Sequence, residues 1–243
     1  MGLMEKTTLE KSILEERKGS IRLMESTCSG QGIKCDTDSV SGSVSQRACV
    51  YCGARVVLNP ITDAFHIVHG PIGCASYTWD IRGSLSSGDD LYRNSFSTDL
   101  RETDVIFGGE KKLIAAIEEV ALKYHPKVIF IYATCIVGVI GDDVDAVCRT
   151  MSSKYGIPVI PVKSPGFSGN KSTGYRMACN AIMEVIKPYK DREKVKGINI
   201  LGDFNLAGEM WIIKDYLKQI GIEVIAGLTG DSDYESLIKA PGA

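Results

Sequence analysis

The 243-residue sequence predicts an α/β fold built on a parallel, Rossmann-like sheet, and three observations carry that expectation. Leu113, Ile114, Ile117, Val120 and Ala121 recur at helical spacing, and an unbroken β-rich apolar run, Val128-Ile-Phe-Ile-Tyr-Ala133, follows almost at once. Continuous apolar runs of this length read as strands covered on both faces, the usual state of parallel strands flanked by helices. The alternation of helix and strand then continues toward the carboxyl end, and in such sheets ligands sit beyond the carboxyl ends of the strands.

Taken in order, Thr7-Thr-Leu-Glu10 forms a capping box for a helix through Leu9, Ile13 and Leu14 to about Arg22. Residues 25–46, rich in Ser, Gly and Thr and containing Cys28 and Cys35, read as a loop. The helix at 110–124 and the strand at 128–133 come next, with Cys135 in the turn after the strand and the next helix starting near Asp142. That helix runs to 155. Beyond it the pattern predicts a strand at 158–162, a loop at 164–173 and a helix at 174–187. The charged stretch Lys190-Asp-Arg-Glu-Lys-Val-Lys196 marks a boundary, after which a strand at 198–201, a helix at 208–220 and a strand at 223–226 begin a second unit. The expected organisation is an N-terminal helix and loop extension at 1–45, a Rossmann-like domain at 46–192, and the start of a second, incomplete Rossmann-like domain at 193–243.

The 28 basic and 30 acidic residues give a formal net charge of -2 and are spread along the chain. With no polybasic arm, nucleic acid is not an expected partner. The charged amino end lacks the apolar core of a signal peptide and no apolar run reaches the length of a membrane span, so no membrane partner is expected and the reading is cytoplasmic. Eight cysteines in a chain of that compartment point to metal ligands or small buried apolar residues rather than disulfides.

Three of them sit in contexts suited to a metal cluster: Cys49 in Arg47-Ala-Cys-Val-Tyr-Cys-Gly53, Cys74 in His69-Gly-Pro-Ile-Gly-Cys74, and Cys135 at a strand end. Thiolates bind iron and iron-sulfur clusters, and glycines beside them let the backbone approach a bulky inorganic group. Packing is the alternative for each. Cys49 and Cys52 form a C-x-x-C, which serves redox pairs and half zinc sites alike, but no second C-x-x-C exists to complete a zinc ribbon. Cys148 and Cys179 lie among apolar helix residues and read as core. Asp142, Asp143 and Asp145 read as a helix cap with first-turn acids. The run Gly166-Phe-Ser-Gly-Asn-Lys-Ser-Thr173 fails as a phosphate loop because Pro165 stands where its first glycine is required. His66 reads as a satisfied core residue and His125 as a helix-end residue, while His69 stays open.

Four segments in sequence, Ser45-Gln-Arg-Ala-Cys49, His69 to Cys74 with Tyr77-Thr-Trp-Asp-Ile-Arg-Gly83, Phe107-Gly-Gly-Glu-Lys-Lys-Leu113, and Thr134-Cys-Ile-Val-Gly-Val-Ile-Gly-Asp-Asp143, resemble the nitrogenase component 1 family from about residue 40 onward. The similarity is greatest to its alpha-like subunits of the scaffold on which the iron-molybdenum cofactor is assembled. The resemblance implies that Cys49, Cys74 and Cys135 hold an iron-sulfur cluster of the 4Fe-4S type at the interface with a beta-like scaffold subunit, in a heterotetramer. It also implies an iron-molybdenum cofactor precursor, dealings with the nitrogenase iron protein and with precursor-donating and cofactor-accepting proteins, and no independent turnover. Lys171 and Arg176 would then hold an anionic precursor or homocitrate by charge. Catalytic members of the family carry a Gln-Tyr-Ser-Arg-type run after the second cysteine and a histidine in the loop after Gly-Phe. This chain has Ala75-Ser-Tyr-Thr-Trp-Asp-Ile-Arg82 and, from 166 to 176, no histidine. Members also continue through further domains, including a cysteine that anchors the precursor past residue 243. Two further readings therefore stand beside the scaffold: a catalytic alpha-type subunit reducing dinitrogen or a tetrapyrrole, and a truncated cluster-binding module without maturation activity.

Overall fold

The computed structural model describes residues 49–80 and 94–243. The expected helix at 7–22, the loop with Cys28 and Cys35, and the motif residues 45–48 and 81–83 lie outside them.

The first unit places α1 (Val50–Leu58), β1 (Ala64–His69), α2 (Ile72–Asp80), β2 (Ser95–Ser97), α3 (Glu102–Phe107), α4 (Glu110–Tyr124), β3 (Val128–Ala133), α5 (Cys135–Ile140), α6 (Val144–Tyr155), β4 (Val159–Lys163) and α7 (Lys171–Ile186) in order. Its four strands are all parallel, in the order β2-β1-β3-β4, with Phe65 opposite Ile129 and Ile129 opposite Val159. A second, two-stranded parallel sheet pairs β5 (Ile198–Leu201) with β6 (Val224–Leu228), connected by α8 (Glu209–Gln219), and α9 (Tyr234–Lys239) follows. No helix among the described residues is long and apolar enough to cross a membrane.

The predicted central strand is found residue for residue, and every position of β3 is buried. Its alternate side chains feed two cores. Val128, Phe130 and Tyr132 pack with Tyr51, Leu58, Ile182 and Leu237 on one face, whereas Ile129 and Ile131 pack with Leu113, Ile117, Val147 and Met151 on the other. Each such side chain contributes about 1.5–3 kcal/mol on burial, which is why an apolar run with no polar face is stable only here, between two helical layers.

The helices follow their local chemistry. In α4, Leu113, Ile117, Val120 and Ala121 are buried, but Ile114 points outward, and the helix ends at His125 in a left-handed conformation. Asp143 caps α6 by accepting from the Ala146 N–H at 2.9 Å. The sequence placed Lys171 in a loop, yet Asn170 accepts from the Thr173 N–H at 3.2 Å and starts α7 three residues earlier than expected. Cys148 is buried in the core as predicted, and burial pushes its thiol up to about 12. Cys179 is a correction, since it lies on the exposed side of α7.

Helices α1 and α7 cross at unusually short range. A Cβ on Gly53 would lie 2.1 Å from the Lys171 carbonyl oxygen, and one on Gly174 would lie 2.0 Å from that of Val50. The paired glycines let the two backbones touch, and this contact places the amino end of α1 against the loop that follows β4.

Candidate metal centre

Two of the three predicted cysteines come from the carboxyl ends of parallel strands. Cys74 stands in the first turn of α2, after β1, and Cys135 is the first residue of α5, after β3. Cys49 arrives from the other direction, as the N-cap of α1. Cys49 and Cys135 meet at the turn beyond β4, and Cys74 lies near both. The Gly166 N–H donates to Cys135 Sγ at 3.0 Å, and a Cβ at Gly166 would sit 3.0 Å from that sulfur and 3.1 Å from Cys49 Cβ. Any larger residue would press on both cysteines. Cys49 and Cys74 are half-buried, whereas Cys135 is exposed, so the group opens to solvent on one side. A Cβ at Gly73, the residue before Cys74, would meet nothing within 4 Å.

The thiols also differ in proton affinity. Cys49 shares a 3.5 Å sulfur contact with Cys52, one helical turn on and buried in the core. That contact, with nearby backbone groups, lowers Cys49 to about 6 and holds the proton on Cys52, whose thiol is raised first by Cys49 and then by burial. Cys74 is raised by burial and by its proximity to Cys135 and Cys49. Cys49 is therefore readier than Cys52 or Cys74 to act as a thiolate.

The histidine left open by the sequence is structural. His69 is fully buried, with Nδ1 3.0 Å from Thr98 Oγ1 and Nε2 3.1 Å from Asp142 Oδ2. Because the Gly70 N–H donates to the same threonine oxygen at 3.2 Å, the hydroxyl proton is directed to Nδ1 and Nε2–H faces the carboxylate. Asp142 is thus not a helix-capping acid as expected, and it also accepts from the Gly109 N–H at 3.1 Å. This network ties the loop before Cys74 to the end of α5, while the Thr134 hydroxyl, next to Cys135, donates to the His69 carbonyl at 2.9 Å. His66 is the satisfied core residue predicted, buried and 2.9 Å from the Tyr132 hydroxyl.

Burial pushes His69 below the ordinary imidazole value and, with the nearby Arg55 cation, pushes His66 well below it. Folding therefore favours both neutral rings. Their contribution is fully present above the unfolded value of about 6.5 and is lost as pH falls toward the folded values, by up to about 1.4 kcal/mol per pH unit for each ring. Urea unfolding at pH 7.5 and 5.5 is expected to show a clear loss of stability at the lower pH; equal stability would mean that the rings are solvated.

Lys171 and Arg176 both lie on α7 and are exposed, with the Lys171 ammonium 5.6 Å from the centre of the Tyr175 ring. The structure does not draw them into the cysteine group. Two contributors escaped the sequence: Gly166, whose only local signal is the Pro-Gly after a strand, and Asp142, whose partner His69 is 73 residues away.

A parallel α/β sheet that gathers thiols beyond its strand ends defines a class of cysteine-lined Rossmann-type proteins. The chain belongs to the nitrogenase component 1 type oxidoreductases, whose family pattern matches residues 49–243. It is 68% identical to the nitrogenase iron-molybdenum cofactor biosynthesis protein NifE of Clostridium pasteurianum, over 95% of this chain and 51% of that protein. Identity to the NifE protein of Methanosarcina barkeri is 55%, over 95% of this chain and 52% of that one. The solved structure of nitrogenase Cp1 at pH 6.5 superimposes with a TM-score of 0.77 at 41% identity, covering 86% of this chain and 42% of the other. The chain thus spans about half the length of these relatives.

Proposed function

We infer that this chain serves as the alpha-like part of a scaffold that assembles the nitrogenase iron-molybdenum cofactor, and that Cys49, Cys74 and Cys135 bind an iron-sulfur cluster there. The observation that carries this reading is the approach of Cys49 and Cys135 to Gly166, with Cys74 close enough to both to feel their charge. Among the described residues no set of three His, Cys, Asp or Glu side chains is drawn together as for a single ion. Thiols brought from three separate elements to a side that opens to solvent at Cys135 suit a multi-iron group, which would supply redox-active iron held by anionic sulfur. The chain's own share is the low-affinity proton of Cys49 and the Gly166 N–H aimed at the Cys135 sulfur.

Three thiols leave a four-iron cluster short of a ligand, and a beta-like subunit of the NifN type completes it in a heterotetramer. Ile72, Val139 and Phe167, exposed on the cysteine-bearing helices and on the turn that carries Gly166, supply an apolar rim for such a partner. The nitrogenase iron protein and the precursor-donating and cofactor-accepting proteins are its further partners, in the cytoplasm. In the same reading residues 46–192 form the cluster-binding domain and 193–243 begin a second domain, with Lys171 and Arg176 offering positive charge to an anionic precursor. A scaffold rather than a reductase is supported by the histidines. The chain has three, of which His66 and His69 are buried in hydrogen bonds and His125 caps α4 ahead of the amino end of β3, whereas Cys74 and Cys135 follow carboxyl strand ends. None is placed to donate a proton near the thiols.

Anaerobic co-purification with the beta-like subunit, followed by iron and sulfide analysis and EPR, tests this. Cys49→Ala, Cys74→Ala and Cys135→Ala are each expected to lose most of the iron and the cluster signal. Full iron content in all three would make the cysteines packing residues. Lys171→Ala should keep the cluster but load less precursor, and unchanged loading would remove Lys171 from the site. Acetylene or tetrapyrrole reduction by the purified complex would replace the scaffold reading with the catalytic one.

A further inference from the structure

The Cys49-Val-Tyr-Cys52 motif holds a thiol that cluster binding does not use. Cys52 is only 1% exposed and packs in the core beneath α1, yet its sulfur lies 3.5 Å from that of Cys49. Cys49 is the N-cap of α1, on extended backbone, and Cys52 stands three residues on, inside the first turn. Residues three apart on a helix lie on the same face, so side-chain rotation alone separates this contact from a bond. Cys135, by contrast, already accepts from the Gly166 N–H. The two sulfurs also differ in access, because Cys49 is half-buried and Cys52 is enclosed. Dithiol oxidation uses that asymmetry: a disulfide from solution reaches the outer sulfur, and the inner one then resolves the mixed disulfide.

We propose that Cys49 and Cys52 are a dithiol modification site, oxidised to a reversible disulfide by a low-molecular-weight disulfide when the chain carries no cluster, and that this bond withdraws Cys49 from cluster binding. The Cys49 sulfur, having given up its proton, attacks one sulfur of the small disulfide; a Cys49 mixed disulfide forms and one small thiolate leaves. Cys52 then gives up its proton and its sulfur attacks Cys49, and the second small thiolate leaves. Two protein thiols are thereby oxidised, the small disulfide is reduced to two thiols, and the two protons end on the leaving groups. A disulfide sulfur has no thiolate charge to offer iron, so oxidation and loading exclude one another. That exclusion rests on Cys49 being a cluster ligand as inferred above, whereas the disulfide itself does not.

The test uses the 243-residue chain purified anaerobically without added iron or sulfide, treated with glutathione disulfide, alkylated and digested with trypsin. Cleavage after Arg47 and Arg55 puts both cysteines in the peptide 48–55. That peptide is expected to lose the mass of two hydrogen atoms and take up no alkylating reagent, and a thiol reductant should reverse both changes. Cys52→Ala and Cys52→Ser should stop at a glutathione adduct on Cys49, while Cys49→Ala should leave Cys52 a free thiol. Free Cys49 and Cys52 in a wild-type sample whose exposed Cys135 and Cys179 have been converted to adducts would overturn the proposal, and so would a bond from Cys49 to Cys74 or Cys135. Iron uptake in the presence of the beta-like subunit is then measured on the oxidised chain, which should load little iron until it is reduced. Full uptake by the disulfide form would overturn the withdrawal and, with it, Cys49 as a ligand; absence of the disulfide would overturn the modification site and leave the ligand reading standing.

Discussion

Gly174→Ala is expected to destabilise the protein by about 2 kcal/mol and to lower its melting temperature by about 4–8 °C. The added methyl would meet the Val50 carbonyl oxygen at 2.0 Å, the Ala54 nitrogen at 2.7 Å and Gly53 Cα at 2.9 Å, all of them backbone. No rotamer change relieves such a clash, so α1 and α7 must separate. Alanine does favour the helix over glycine, by about 0.5–1 kcal/mol. Overpacking that shifts backbone typically costs about 1–3 kcal/mol, and with three backbone atoms met at once the clash lies at the upper end and wins. At this chain length each kcal/mol shifts the midpoint by about 2–4 °C. Because Cys49 is the N-cap of α1 and lies beside Gly166, separation of the helices should also lower iron retention in the assembled complex. Glu184→Ala, on the exposed side of the same helix, is the control and should stay within about 0.5 kcal/mol. A Gly174→Ala midpoint within 1 °C of wild type would show that the two helices are not in close contact.

The parts of this molecule that were legible in the sequence are those whose cause is local. The β3 run announces itself because both of its faces are buried, and α4 because one face is; the caps at Asp143 and His125 act within a turn of themselves. Residues 50–80 and 94–107 received no element prediction. Their helices and strands are short, six to nine residues or fewer, and α3 buries no side chain at all. Helix α5 was missed for a related reason: Cys135-Ile-Val-Gly-Val-Ile140 looks like more strand, and only the tertiary setting, with Thr134 bonded back to His69, turns it into helix. Exposure misled at Cys179 and Ile114, where a mixed helical pattern left the width of the buried face undecided. The candidate site divides in the same way. Cysteines beside glycines mark themselves in sequence, but the approach of Gly166 to two of them depends on the α1–α7 crossing, and no nearby residue encodes that.

Asp142 offers the sharpest separation of structure from cluster chemistry. Its carboxylate is buried and accepts from two groups that have no water to turn to, the His69 Nε2–H at 3.1 Å and the Gly109 N–H at 3.1 Å. Asp142→Ala leaves both donors unsatisfied, and an orphaned buried polar group costs about 1–3 kcal/mol, so a loss of about 3 kcal/mol is expected. Asp142→Asn keeps one acceptor oxygen and should recover part of that loss. His69→Ala removes the other side of the contact, and if the two residues act as one bonded unit the double variant will be less damaged than the sum of the single ones, by about 1 kcal/mol or more. Additive losses in that cycle would refute the coupling. The consequence for the site follows from position, because His69 immediately precedes the Gly-Pro-Ile-Gly loop to Cys74 and Asp142 lies just beyond the helix that Cys135 begins. The bond therefore fixes the distance between two cysteines without contacting either, and Asp142→Ala should reduce cluster iron in the complex while all three thiols remain.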